Sequence, residues 1–114
     1  MQGLMQDASL LTSTTLTHAA RVYPDVEIVT ALDGTVVHRS SYAQVEARAR
    51  RLASSLTQHS LAGEDLCLGA LGFNSWRMLE IMHAVPGCGS VLHTCNPRLH
   101  ESHLSYTVGH SGAK

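Results

Sequence analysis

The stretch from Leu66 to Cys95 constrains the fold more than any other part of the chain. Leu66-Cys67-Leu68-Gly69-Ala70-Leu71 is an uninterrupted apolar run of strand length, the pattern of a parallel strand buried on both faces, and is expected to be a central strand. A helix should follow. Asn74 is placed to cap it, Trp76, Leu79 and His83 share one side, and Met78, Ile81, Met82 and Val85 share the other. Apolar nearly all round, such a helix has to lie under more protein. Pro86-Gly87-Cys88-Gly89 is expected to stop it, and Ser90-Val91-Leu92-His93-Thr94 reads as a second short strand. Strand, helix and strand in that order close as a right-handed crossover with the strands parallel.

The segments before this unit are legible from local signals. Leu16, Ala19, Ala20 and Tyr23 recur at helical spacing, with Ser13 as the expected N-cap and Pro24 as the stop. Val26-Glu27-Ile28-Val29 and Thr35-Val36-Val37-His38 flank Asp33-Gly34, a strong turn signal, and predict an antiparallel hairpin. Ser41-Tyr42-Ala43-Gln44 has capping-box spacing. Behind it, Val45, Ala49, Leu52, Ala53 and Leu56 hold one helical face while Arg48, Arg51 and Ser55 hold another. Glu46 and Arg50 form an i, i+4 pair on that helix.

Beyond the second strand, Asn96-Pro97 breaks the chain direction and a last helix is expected from about Leu99 to Val108, weakened by Gly109 in its closing turn. In an alternating α/β order another strand should come next, and the sequence reaches Gly112-Ala113-Lys114 without one. No linker, repeat or low-complexity segment divides the chain. Residues 1–114 are therefore expected to form one partial domain, truncated at its carboxyl end; the 114 residues and 12.3 kDa leave no room for a second catalytic domain.

Composition narrows the function classes. Eight Lys and Arg against nine Asp and Glu give a net charge of -1, too balanced to gather phosphate backbones, and aromatic residues at 4% are too few for a base-stacking platform. Nucleic acid is not an expected partner. No basic residue precedes Arg21 and no apolar run reaches spanning length, so no secretory signal and no membrane span are read, and the default compartment is intracellular, taken as cytoplasmic. Cys67, Cys88 and Cys95 form no Cys-x-x-Cys pair and read as reduced thiols in apolar surroundings.

Several patterns invite a site reading. Thr12-Ser13-Thr14-Thr15 has the hydroxyls of a phosphate loop but no glycine and no following lysine, so it reads as a helix start. Gly69-Ala70-Leu71-Gly72 sits between strand and helix yet lacks the close Gly-x-Gly pair of a dinucleotide fingerprint, so a tight turn is favoured. His100 and His103, three apart on the last helix with His110 further on, could face one ion, but no acidic or thiolate third ligand is suitably spaced. His93 is a candidate acid or base without an assignable partner, and a core or pocket-lining role is favoured. No nucleophile elbow, carboxylate pair or Cys-His set is visible, so the residues predict no catalytic, cofactor-binding or metal-binding position.

Val85-Pro86-Gly87-Cys88-Gly89-Ser90-Val91-Leu92-His93-Thr94-Cys95-Asn96-Pro97-Arg98-Leu99 closely resembles a stretch of the fatty-acyl-CoA synthetases of the adenylate-forming, AMP-binding superfamily. Other landmarks come in the same order: His18-Ala19-Ala20-Arg21 before Tyr23-Pro24, Ser41-Tyr42-Ala43-Gln44-Val45 opening a helix, and Asn74 ahead of the buried helix. Met1-Gln2-Gly3-Leu4-Met5-Gln6 also resembles a family amino terminus.

The resemblance covers nearly the whole chain and implies an α/β fold. Specifically, it implies the incomplete N-terminal part of a large domain, an antiparallel hairpin followed by a βαβ unit. In the full-length family it implies a two-step ligase: a fatty acid or other carboxylate reacts with ATP to an acyl-adenylate and pyrophosphate, then the thiol of CoA displaces AMP, with Mg2+ accompanying the ATP. The family's phosphate loop, metal-positioning acid, ribose-binding aspartate and catalytic lysine all come later in sequence. No catalytic or ATP-binding residue carries over. Gly109 and Ser111-Gly112 in the last helix, and the polar His100-Glu101-Ser102-His103, depart from what the resemblance implies. The chain is therefore expected to be a synthetase fragment, inactive alone and prone to self-association through exposed core surface. The alternative reading is a short non-catalytic protein that binds a full-length synthetase or another partner, and a small α/β enzyme in its own right ranks last.

Overall fold

The computed structural model describes residues 3–4, 7–8 and 10–114, so most of the Met1–Gln6 segment lies outside the described residues. The elements in chain order are α1 (Thr12–Val22), β1 (Glu27–Leu32), β2 (Thr35–Ser41), α2 (Tyr42–Gln58), β3 (Cys67–Leu71), α3 (Trp76–Gly87), β4 (Val91–Cys95) and α4 (Glu101–Ser111). An antiparallel hairpin is followed by a strand-helix-strand unit with parallel strands, as the sequence predicts. No helix among the described residues is long and apolar enough to cross a membrane.

The hairpin follows from Asp33-Gly34. Both residues adopt positive φ, 49° and 78°, the conformation a two-residue primed turn needs and one that Gly and Asp tolerate. The register slips between Thr30 and Ala31: Thr30 faces His38, but Ala31 faces Val36, so Val37 is the extra residue of a bulge.

α2 starts with the expected capping box, with the Ser41 side chain taking the Gln44 N–H and the Gln44 side chain taking the Ser41 N–H. Its apolar stripe builds the core. Leu16, Val45, Ala49 and Ala84 are buried against one another where α1, α2 and α3 meet, with Ile28, Tyr42, Leu52, Ala53 and Leu79 packed around them. Val45 has no exposed surface. The crossover is pinned at its turn by buried Ser90, whose hydroxyl accepts from the Gly63 N–H (2.9 Å) and donates to the Gly63 carbonyl (3.1 Å).

Five local expectations are corrected. Leu11, not Ser13, is the N-cap of α1, and it makes no side-chain cap bond. The hydroxyls of Thr14 and Thr15 instead donate back to the carbonyls of Leu11 and Thr12, each at 2.6 Å, and the helix begins two residues earlier, at Thr12. Ser75, not Asn74, is the N-cap of α3, and the Trp76 N–H is taken from outside the helix by Thr30 Oγ1 at 3.0 Å.

Pro86 and Gly87 fall inside the last turn of α3 rather than ending it, because a proline there forfeits only one intrahelical donor. The last helix begins at Glu101 instead of Leu99, with His100 as N-cap accepting the Ser102 N–H, and it ends on Gly112 at φ 64°. β3 is also less enclosed than a central strand. Ala70 is buried but Gly69 and Leu71 are exposed, since the helical layer of α2 and α3 covers one side of it.

Candidate functional site

A broad opening lies beyond the carboxyl ends of the two parallel strands, where open α/β sheets present their ligand crevices. Gly72, Phe73 and Asn74 leave β3 on one rim, Cys95 to Arg98 leave β4 on the other, and the hairpin tip at Leu32 and Asp33 forms a third wall. The space between them is about 790 Å³. Local chemistry shapes the β4 rim: the Asn96 side chain accepts the Arg98 N–H at 2.9 Å and the Asn96 carbonyl accepts the Leu99 N–H at 3.2 Å. Asn96-Pro97-Arg98 thereby turns back on itself. The Arg98 guanidinium stands 5.6 Å from the Phe73 ring centre, across the mouth of the crevice.

This arrangement offers a cation, a carboxylate, two amides and an exposed aromatic ring. It suits binding and orienting a polar ligand; a nucleophile and base within hydrogen-bond reach of each other are not seen on its walls. Among the described residues no group of three or more His, Cys, Asp or Glu converges. The walls of the crevice carry a single carboxylate, Asp33, which does not fit a site that would hold magnesium by itself.

The residues singled out in the sequence are scattered. The Thr12–Thr15 hydroxyls at 14 and 15 are committed to carbonyls of their own helix. Gly69 and Gly72 serve close packing: a Cβ on Gly69 would sit 3.4 Å from the Ala113 Cβ, and one on Gly72 would sit 3.4 Å from Met78 Cε. His100 and His103 meet edge to face at 6.3 Å between ring centres, while His110 stacks on Tyr106 at 5.2 Å, which splits the three. His93 Nε2 is buried and finds no partner among the described residues.

The structure also brings together groups that the sequence reading had not paired. Arg48 Nε donates to Glu80 Oε1 at 2.5 Å, linking α2 to α3 over a carboxylate that is nearly buried. That hydrogen bond, reinforced by the opposite charge, raises the Arg48 pKa. His38 stacks on Trp76 with ring centres 4.2 Å apart and planes 7° from parallel, joining the hairpin to α3. Arg98 and Phe73 likewise come from different connections. The only sequence signal for the crevice was the position of Asn74 and Asn96-Pro97-Arg98 just after two strands.

Comparison with known proteins agrees with this architecture. Residues 16–114 match the family model described as AMP-binding enzyme. The chain is 42% identical over 112 residues to 3-methylmercaptopropionyl-CoA ligase of Ruegeria lacuscaerulensis, covering 97% of this chain and 20% of that protein. It is 38% identical over 114 residues to medium-chain-fatty-acid–CoA ligase of Ectopseudomonas oleovorans, covering 100% of this chain and 21% of the relative. Among solved structures, a fatty acyl CoA synthetase of Mycobacterium tuberculosis superposes with a TM-score of 0.74 at 28% identity, over 91% of this chain and 20% of that one. The chain thus spans about a fifth of the length of the curated relatives it matches. Its sequence, its fold and the order of its elements agree, and the chain belongs to the AMP-binding enzyme family.

Proposed function

We propose that this chain is the N-terminal part of the large domain of an AMP-forming acyl-CoA synthetase, and that it is inactive by itself. The observation that carries this reading is similarity along essentially the whole chain to acyl-CoA ligases of which it covers about a fifth. In the complete enzyme a fatty acid or related carboxylate would react with ATP and then with CoA, with Mg2+ on the nucleotide. Adenylate chemistry needs a phosphate cradle, a cation and a group delivering positive charge to the developing charge. The crevice at the ends of β3 and β4 supplies Arg98 and two amides but no nucleophile and base pair. Its role in the complete enzyme is to form one wall of a binding cleft.

Two measurements test the reading. The intact mass of the native product in its source cells, detected through peptides of α2, is expected far above 12.3 kDa. A mass equal to that of the 114 residues would favour the alternative, a short non-catalytic binding protein. Purified 114-residue protein should show no carboxylate-dependent exchange of pyrophosphate into ATP, and measurable exchange would refute the inactivity claim.

A further inference from the structure

Asp33-Gly34 is the only Asp-Gly step in the sequence, and it forms the hairpin tip that walls the crevice. The Asp33 carboxylate is exposed there and joins none of the ion pairs among the described residues. The Gly34 N–H has no acceptor among those residues. A Cβ built on Gly34 would meet nothing within 4 Å. The nitrogen next to this carboxylate is therefore neither tied by a hydrogen bond nor shielded by a side chain. Two other aspartates differ on both counts. Asp25 precedes β-branched Val26, whose N–H donates to the Tyr23 carbonyl at 3.2 Å, and Asp65 precedes Leu66, whose N–H donates to the Gly63 carbonyl at 3.1 Å.

We propose that Asp33 is a self-modification site at which the chain rearranges to isoaspartate, and that this conversion unmakes the hairpin wall of the crevice. The Gly34 nitrogen attacks Cγ of the Asp33 carboxyl group in its acid form. A C–N bond forms, the Cγ–OH bond breaks, and the amide hydrogen leaves with the hydroxyl as water, giving a cyclic imide. Water then adds to one of the two imide carbonyls. Addition at Cγ breaks the new bond and restores aspartate. Addition at the main-chain carbonyl breaks the original peptide bond, so the chain runs on through Cβ and Cγ and a carboxylate remains on Cα. One water is lost and one regained, with no other reactant. The isoaspartyl main chain is longer by one methylene, which a two-residue primed turn does not absorb. Its fit depends on φ of 49° at Asp33 and 78° at Gly34, with Leu32 and Thr35 paired across it. Conversion parts that pair and displaces the single carboxylate of the crevice, which stands on a different wall from Arg98. The reading rests on the turn alone and is independent of the ligase assignment.

Incubation of the 114-residue protein in heavy-oxygen water at neutral pH tests it, since each opening of the imide leaves one solvent oxygen in the residue. Peptide mass analysis should find at least about tenfold more heavy oxygen at Asp33 than at Asp25 or Asp65, as expected where glycine leaves the attacking nitrogen unshielded. An isoaspartyl methyltransferase should label the same peptide. Asp33→Glu keeps the charge but would have to close a larger ring, so it should abolish both signals. Asp25 and Asp65 report on that variant's fold, because loosening it would raise their uptake. In the isoaspartyl form, isolated by chromatography, the Thr35 amide should exchange at least about tenfold faster than in the parent while the Ala49 amide in α2 is unchanged. Heavy oxygen at Asp33 no higher than at Asp25 and Asp65 overturns the site. An unchanged Thr35 amide in the isoaspartyl form overturns its effect on the crevice wall.

Discussion

Arg48 of α2 and Glu80 of α3 meet at 2.5 Å, with the carboxylate only 8% exposed and the arginine side chain 46% exposed. A carboxylate placed so deep depends on its partner, because removing one member of a buried pair leaves an uncompensated charge whereas replacing both need not. The pair holds together the two helices that carry the core and the crossover.

Arg48→Met should therefore lower the thermal midpoint by a few degrees, and Arg48→Met combined with Glu80→Leu should recover much of that loss. The double-mutant cycle is read by calorimetry. A single Arg48→Met variant as stable as the parent would show that the pair contributes nothing.

The core junction is small, so each methyl in it counts. Val45 is fully buried between α1, α2 and α3. Val45→Ala removes two methyl groups and leaves a void, which should cost about 2 kcal/mol in a denaturant titration. Ala53, on the same stripe but only partly buried, should tolerate conversion to Ser at a smaller loss.

The features that were legible in the sequence are those fixed by neighbours in the chain. Asp33-Gly34 specifies its own positive-φ turn, and Ser41 with Gln44 closes a capping box within one helical turn. The apolar pattern from Leu66 to Thr94 located the crossover, and the resemblance around Val85–Leu99 gave its family. Interactions between distant residues left no such trace. Glu80 looked like a polar interruption of an apolar helix, and nothing nearby in sequence marks Arg48, 32 positions earlier, as its partner. The bulge at Thr30 was equally hidden, although it places Thr30 Oγ1 on the first turn of α3. For β3, apolar content overstated enclosure, because the run of hydrophobic residues records what a strand is built to contact. The crevice has no sequence signature for a related reason: Phe73 and Arg98 belong to two loops, and neither loop carries a motif by itself.

Trp76 is the sole tryptophan, which makes the hairpin-to-helix contact observable. Its ring is sandwiched in part by His38, and the Arg77 guanidinium lies 4.5 Å from the ring centre. His38→Ala should shift Trp76 emission to longer wavelength and roughly double its quenching by acrylamide, as expected when a stacked aromatic partner is lost. Arg39→Ala, which removes the exposed ion pair to Glu27, should leave both readings unchanged.

His83 offers a pH-dependent handle on the packing of α1. It lines a cavity of about 230 Å³ with Ser13 and Thr17 of α1 and Glu46 and Arg50 of α2, the last two paired with each other. Burial holds its pKa below the ordinary 6.5, and the nearby Thr12 backbone opposes that shift only in part. The unfolded chain consequently binds a proton at this site before the folded chain does. The contribution of His83 to stability is then complete above about pH 6.5 and is lost as pH falls through the depressed folded value. His83→Gln keeps a polar side chain of similar reach but cannot titrate, so its unfolding free energy should fall less steeply than the parent's between pH 6.5 and pH 5. Denaturant titrations at a series of pH values give both slopes, and identical slopes would show that His83 does not couple protonation to the docking of α1.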